Sequence, residues 1–541
     1  MATRTTLSPL SRALMVFLAF ASVFLALGTN DYTRADGALR CLEQDGGRLF
    51  LHGNNHLLYP VWVHAWRGLL GAVGVDATSA LQVIRMTQVL MSLLAAASLA
   101  LLYDLLQRLA GSRAALLATC LVGTSSAVIV HATSSAEPLP ALFAAMAGMR
   151  AASAGAASPR GSGLLFTAGL MFALALASYQ AMATIAGLGT LVLALAATQL
   201  PHPAPARLFC RWLAVVALGG TAGVVAIYGM AYHHEGIGLA EMPARFFALG
   251  GKPEVYAGLS LARLANVPAG LLEQSHDALP ARYGGLRTLA AGLTPGVSLM
   301  LAIGLALWIW IGWMTLSAWR ESPRSRPWWV SGTAVLTACL VAFPLIYWDP
   351  LYDKLWLVPL CGVAIAVAMA MAMRRHDGTS GHWDRLEALV AAVVIFQLSA
   401  NVPAAVRAST SPTPHLAEAM ALRDVVRPGD ALILDFDPVS TLWSALYRGA
   451  RPALLLPAST RDEAERWLNH YGRPVHARRL VFVSVLDHDE RGWNDFIGRR
   501  AGIPFALLHP YRQAAIPVLQ FSAGEEARSV RANYNRVHAR P

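Results

Sequence analysis

Residues 81–106 read LQVIRMTQVLMSLLAAASLALLYDLL. Arg85 and Asp104 are the only charged residues in this stretch, and each lies near one end. As a helix it would rise about 39 Å at 1.5 Å per residue, more than the ~30 Å hydrocarbon layer of a bilayer. Ten further runs of this kind flank it, and together the eleven are placed near 12–29, 81–106, 113–131, 138–155, 163–179, 182–199, 212–232, 297–318, 328–347, 355–373 and 386–401. The composition agrees. Of 541 residues, 55% are apolar and 14% charged, with a mean hydropathy of +0.46. A soluble protein carries about 25% charged residues. The expected fold class is therefore an α-helical polytopic membrane protein. A soluble enzyme, a disordered chain and a small disulfide-rich domain are excluded.

Arginine fixes the expected orientation. Arg4, Arg12, Arg108, Arg113, Arg150, Arg160, Arg207, Arg211, Arg320, Arg324, Arg326, Arg374, Arg375 and Arg385 collect in alternate connections. Glu321, Asp377 and Asp384 are the acids beside them. By the positive-inside rule those connections are cytoplasmic. An odd number of spans then puts the N-terminus inside and the C-terminus outside. The first run, Ala13 to Leu27, ends without a clean small-x-small cleavage site and reads as a retained span. The net charge of +11 marks no nucleic-acid surface, because no basic cluster with interleaved aromatics occurs. Five scattered cysteines give neither a disulfide framework nor a zinc pattern.

Composition changes after the last run. The expected division is a membrane domain, 1–401, with external loops 30–80 and 233–296, and an external domain, 402–541. The tail opens on the Pro/Ser/Thr stretch Ser409 to Pro414. Short apolar runs at Ala431–Leu434, Ala453–Leu456 and Leu480–Val485 alternate with helical patterns at Ser440–Tyr447 and Arg461–Tyr471, which predicts a small α/β layer. No glycine-rich phosphate loop follows any of these strands.

Polar groups beside the outer span ends are the candidates for chemistry. The first outer loop carries Asp31, Arg34, Asp36 and Arg40, then His52 and His56, then Tyr59 and Pro60. Two carboxylates and two histidines near the aromatic anchors Trp62 and Trp66 suit acid–base or metal chemistry. The plainer reading is a solvated loop. Glu137-Pro138 opens the fourth run, where Glu137 either acts at the site or complements the helix dipole. Lys354, one of two lysines, lies in Trp348-Asp349-Pro350-Leu351-Tyr352-Asp353-Lys354. It can hold a lipid phosphate or pair with Asp349 or Asp353. Ser178-Tyr179-Gln180 closes the fifth run. His233-His234-Glu235 is a weaker metal candidate.

The order of these pieces resembles the GT-C superfamily of polyprenyl-phosphate-sugar glycosyltransferases, in the branch of protein mannosyltransferases and aminoarabinose transferases. Asp36-Gly37-Ala38 looks like the family's acidic motif in the first outer loop, with Asp31 the rival. His52 to Pro60 is similar to its His-rich segment but lacks the double proline. Glu137-Pro138 stands where the family usually has Asp before Pro. The motifs cover roughly the first 180 residues; beyond them the likeness is one of topology.

The resemblance implies a sugar donor on a polyprenyl phosphate and a lipid, polysaccharide or protein acceptor, at the outer face of a bacterial inner (plasma) membrane. Asp36, or Asp31, would be the base, with Glu137 a second acid. Arg34, Tyr59, Tyr179, Gln180 and Lys354 would bind substrate. His52, His56 and Glu137 would hold a divalent metal of unspecified identity. The outer segment 233–296, with Phe246, Phe247 and Tyr256, would be a mobile cover. Two other classes remain open on the sequence: a transporter or flippase of a lipid-linked sugar or small solute, and a non-catalytic membrane scaffold.

Overall fold

The computed structural model describes residues 8–30, 56–77, 79–200, 204–234, 238, 240–241, 260–275, 295–321, 327–347, 350–375 and 384–411. It also describes strands at 430–434, 454–457, 479–483, 505–508 and 519–521. Asp31, Arg34, Asp36, His52, Asp349 and the aromatics at 246–256 lie outside the described residues.

Contacts divide the chain into two compact units. The first comprises Met1–Thr29, Glu43–Asp76 and Arg85–Thr410; the second comprises Asn30–Leu42, Ala77–Ile84 and Ser411–Pro541. The helices in chain order are α1 (Pro9–Ala26), α2 (Tyr59–Ala72), α3 (Ala80–Ala110), α4 (Ser112–Gly123), α5 (Ser126–Ala132), α6 (Pro138–Ala156), α7 (Ser162–Ser178), α8 (Ile185–Gln199), α9 (Pro205–His234), α10 (Leu261–Ser275), α11 (Pro295–Glu321), α12 (Trp328–Tyr347), α13 (Leu357–Arg375) and α14 (Arg385–Thr410). Short 3-10 turns, Gln180–Thr184 and Asp353–Trp356, lead into α8 and α13.

A helix lies over every one of the eleven apolar runs. Among the described residues, eight helices are long and apolar enough to cross a membrane, or nine if the bent pair α4–α5 is one span. The chain is an integral membrane protein. Several boundaries differ from the sequence reading. α1 starts at Pro9, earlier than predicted, because Ser8 caps it, its hydroxyl accepting from the Ser11 N–H at 3.1 Å. α9 starts at Pro205 for the same N1 reason, and α14 runs on to Thr410.

Bare backbone lets two of these helices meet. A Cβ at Gly169 would lie 2.1 Å from the Val216 carbonyl oxygen, and one at Gly219 would lie 2.2 Å from that of Phe166. α7 and α9 therefore touch main chain to main chain.

The third run is broken. α4 and α5 meet at an angle of 68°. Thr124-Ser125-Ser126 supplies three hydroxyls in mid-run, and each of the first two turns inward. The Thr124 hydroxyl contacts the Cys120 carbonyl at 2.8 Å and the Gln397 Oε1 at 2.7 Å. Ser125 caps α5 through the Val128 N–H at 3.4 Å. The Asn401 amide donates to the Thr124 carbonyl at 2.9 Å and to that of Gln274 at 3.3 Å. Buried backbone freed by the break is thus satisfied by α14.

α10 lies within the outer segment predicted as a cover. Its Ala269, Gly270, Leu272, Glu273 and Gln274 are buried, and it packs on α5, α11, α12 and α14. This part of the segment is a wall of the first unit.

In the second unit the strands β1 (Asp430–Leu434), β2 (Leu454–Pro457), β3 (Arg479–Val483), β4 (Phe505–Leu508) and β5 (Leu519–Phe521) form one sheet of order β2-β1-β3-β4-β5. β1 pairs in parallel with β2 and β3, β3 in parallel with β4, and β4 antiparallel with β5. Continuous apolar runs such as Ala431–Leu434 suit parallel strands covered on both faces. The helical patterns at 440–447 and 461–471 lie outside the described residues.

Candidate functional site

One end of the first unit gathers the described candidate residues. Residues 131–137, the end of α5 and the loop to α6, are all buried. A buried loop must pair its carbonyls. Ser92 donates to the Ala132 carbonyl at 2.7 Å, and the Thr29 N–H donates to that of Thr133 at 2.9 Å. The Tyr59 hydroxyl donates to that of Ser135 at 2.8 Å. Tyr59 is fully buried, so this predicted substrate residue fastens the loop that carries Glu137.

Glu137 occupies the N-cap position of α6 yet makes no side-chain cap hydrogen bond. Pro138 behind it lacks an N–H, which leaves one donor fewer to cap. The carboxylate is 2% exposed and acts electrostatically on the Tyr179 phenol. Dipole complementation alone does not place a carboxylate this deep, since that effect is worth about 1 kcal/mol or less at an open helix end.

Tyr179 links the remaining candidates. It follows α7 in extended backbone, φ −159°, which turns its ring away from the helix. The His56 ring stacks on it with centroids 5.0 Å apart and planes inclined by 15°. The Lys354 Nζ lies 5.7 Å from the Tyr179 ring centroid and 4.6 Å from that of Tyr352. Burial drives the Tyr179 phenol upward from its ordinary pKa, Lys354 opposes the rise, and Tyr352, Glu137 and Asp353 add to it. The hydroxyl therefore stays protonated at neutral pH and is a hydrogen-bond donor.

Gln180 is partly buried and lies beside the Tyr228 phenol of α9. α2 approaches the same end: the Trp62 Nε1–H donates to the Ser178 hydroxyl at 3.0 Å and the Leu58 N–H to the Ala177 carbonyl at 3.2 Å.

His56, Tyr59, Glu137, Tyr179, Gln180 and Lys354 thus belong to one neighbourhood. His131 opens the stretch His131 to Pro140 that carries Glu137, and sequence reasoning gives it no role of its own; its Nε2 lies 3.5 Å from the Asp353 Oδ1. The two residues are separated by more than two hundred positions, and no local pattern joins them. Asp353, one of the two acids offered as alternative partners of Lys354, accepts the Lys354 backbone N–H at 2.9 Å.

Among the described residues, no group of three or more His, Cys, Asp or Glu side chains converges to hold a metal ion. The ring of His56 is engaged by Tyr179. His233 and His234 end α9 and are not part of such a group.

The fold now has clear parallels. The chain is similar to ArnT from Cupriavidus metallidurans bound to undecaprenyl phosphate, with 13% identity, 92% of each chain covered and a TM-score of 0.53. ArnT in the apo state gives 14% identity, 93% of each chain and a TM-score of 0.53. The oligosaccharyltransferase AglB from Archaeoglobus fulgidus, in complex with an inhibitory peptide and a dolichol-phosphate, is 12% identical, with 87% of this chain and 69% of that one covered and a TM-score of 0.44. No protein-family model and no curated protein matches the chain. The protein has a GT-C-like fold over about nine-tenths of its length.

Proposed function

We propose that this protein is an inverting glycosyltransferase that moves a sugar from a polyprenyl-phosphate donor to an envelope acceptor on the outer side of a bacterial inner membrane. The observation that carries the reading is the cluster of Glu137, Tyr179, His56 and Lys354 at one end of a GT-C-like helical unit. ArnT, which shares the fold, was crystallised with undecaprenyl phosphate. In this reading the chain crosses the membrane eleven times, with a cytoplasmic N-terminus and an external α/β domain after the last span.

The chemistry follows from charge. The acceptor hydroxyl must lose a proton as it attacks the anomeric carbon, and a carboxylate of the first outer loop, Asp36 or its rival Asp31, takes it. The C–O bond to the carrier phosphate breaks, and the phosphate leaves with an added negative charge. Lys354, with Arg34 of the outer loop, neutralises that charge, and the neutral Tyr179 hydroxyl donates a hydrogen bond to it. Glu137 orients sugar hydroxyls in a buried setting where such bonds are strong. A single displacement inverts the anomeric centre.

The described residues alone do not fit a divalent metal, and no step here is routed through one. Transport is the weaker reading. The acidic and basic side chains of the long described helices all lie within two turns of a helix end, whereas a transport path places them near the midplane.

The test is mass spectrometry of envelope glycans and polyprenyl-phosphate sugars with and without this gene. Accumulation of an unspent lipid-linked sugar and loss of one envelope modification are expected on deletion. Unaltered profiles would reject the transferase.

A further inference from the structure

The 350–356 loop is held from two sides. On one side α10 meets it at Gly270, where a Cβ would lie 2.0 Å from the Pro350 carbonyl oxygen. The same oxygen accepts the Trp356 Nε1–H at 2.7 Å. On the other side stands His131, the last full turn of α5. The imidazole is 3% exposed, and among the described residues neither nitrogen has a hydrogen-bond partner. Across the fold it faces Asp353, whose Oδ1 lies 3.5 Å from Nε2. That Asp353 oxygen also accepts the backbone N–H of Lys354. One carboxylate oxygen therefore faces both the α5 imidazole and the peptide that carries Lys354.

A buried imidazole is expected to have a partner, and here the partner that lies nearest is the carboxylate that opens the 3-10 turn. α5, α10, α12 and α13 all pack on that turn. With Pro350 fixed at one end and Asp353 at the other, the backbone of Lys354 has a single place, and its ammonium is delivered beside the Tyr352 and Tyr179 rings.

We infer that His131 is a positioning residue: through Asp353 it sets the place of the Lys354 ammonium and thereby the affinity of the site for the phosphate of a lipid carrier. The inference rests on the reading that Lys354 holds the carrier phosphate. His131 touches no substrate and acts through the turn. The bend at Thr124-Ser125 serves this role, because it carries α5 to the turn.

The experiment uses the full-length protein in nanodiscs and titrates undecaprenyl phosphate by native mass spectrometry. Lys354→Met is expected to raise Kd about 10-fold through loss of a charge-assisted contact. His131→Leu and Asp353→Asn are each expected to raise it about 5-fold, with the double variant no worse than the poorer single, since the two act as one unit. His131→Gln, which keeps an N–H donor, should recover most of the affinity. A purely structural role would lower Tm and leave Kd alone. If Lys354→Met weakens binding while Asp353→Asn and His131→Leu leave Kd within about twofold, positioning is overturned and the phosphate reading stands. If Lys354→Met itself leaves Kd unchanged, the phosphate reading falls and the inference with it. Should His131→Leu fail to fold, Asp353→Asn and His131→Gln decide the question alone.

Discussion

The two ends of the helical unit set their charged groups in different surroundings. At the end rich in arginine, charge meets countercharge. Asp104 of α3 receives Arg150 of α6 and lies 3.4 Å from Arg108, with the Gln107 amide at 2.9 Å. Arg113 of α4 lies 3.0 Å from the fully buried Glu387 of α14. Four helices are tied together there. At the other end the cation Lys354 rests beside two aromatic rings, a histidine stacks on one of them, and Glu137 is buried without capping its helix. The first arrangement contributes to stability. The second gathers an acid, a base and two aromatic rings around Tyr179, which is the cluster the proposed transfer reaction uses.

Substitutions can break or sharpen this contrast. The largest effect is expected for Glu387→Ala, which strands Arg113 and should lower unfolding stability by about 3 kcal/mol. Thermal denaturation in detergent reads it, and an unchanged Tm would remove the structural half of the contrast. Next comes Glu137→Gln, expected to cut sugar transfer about 100-fold, near 2.7 kcal/mol in activation free energy, with Tm little altered. A full-rate variant would end the claim that the second cluster is functional. Asp36→Asn is expected to match it in the same assay. His56→Ala removes one stacked ring and should weaken carrier binding or stability by about 1 kcal/mol. The smallest effect belongs to Arg108→Ala, below about 0.5 kcal/mol, because its side chain is 46% exposed and screened by water. A large loss there would mean that the Asp104 cluster acts as a coupled network.

Much of the fold could be read from hydropathy, since apolar runs of bilayer length have few other fates. The failures were local or remote. The break at 124 was written in three successive hydroxyl residues, a cap signal outweighed by the apolar residues around it. α14 runs past the apolar stretch that ends at 401, because the polar Asn401 is buried and bonded to Thr124, at the α4–α5 break, and to Gln274 of α10. β4 and β5 were missed because Phe505–Leu508 and Leu519–Phe521 are too short to show a period. Of the candidate site, each described residue was visible as a polar or aromatic group beside a span end. The His131–Asp353 contact was not, because it joins α5 to the turn before α13 and only folding brings them together.

The kink after Gly123 has a bearing on depth. Twelve residues of α4 rise about 18 Å, well short of a ~30 Å hydrocarbon layer. Past that point the chain turns by 68°, so the seven residues of α5 add little to the height α4 has gained before the hydroxyl-rich loop begins. On the proposed reading, a lipid-borne head group would meet that loop without its tail leaving the leaflet.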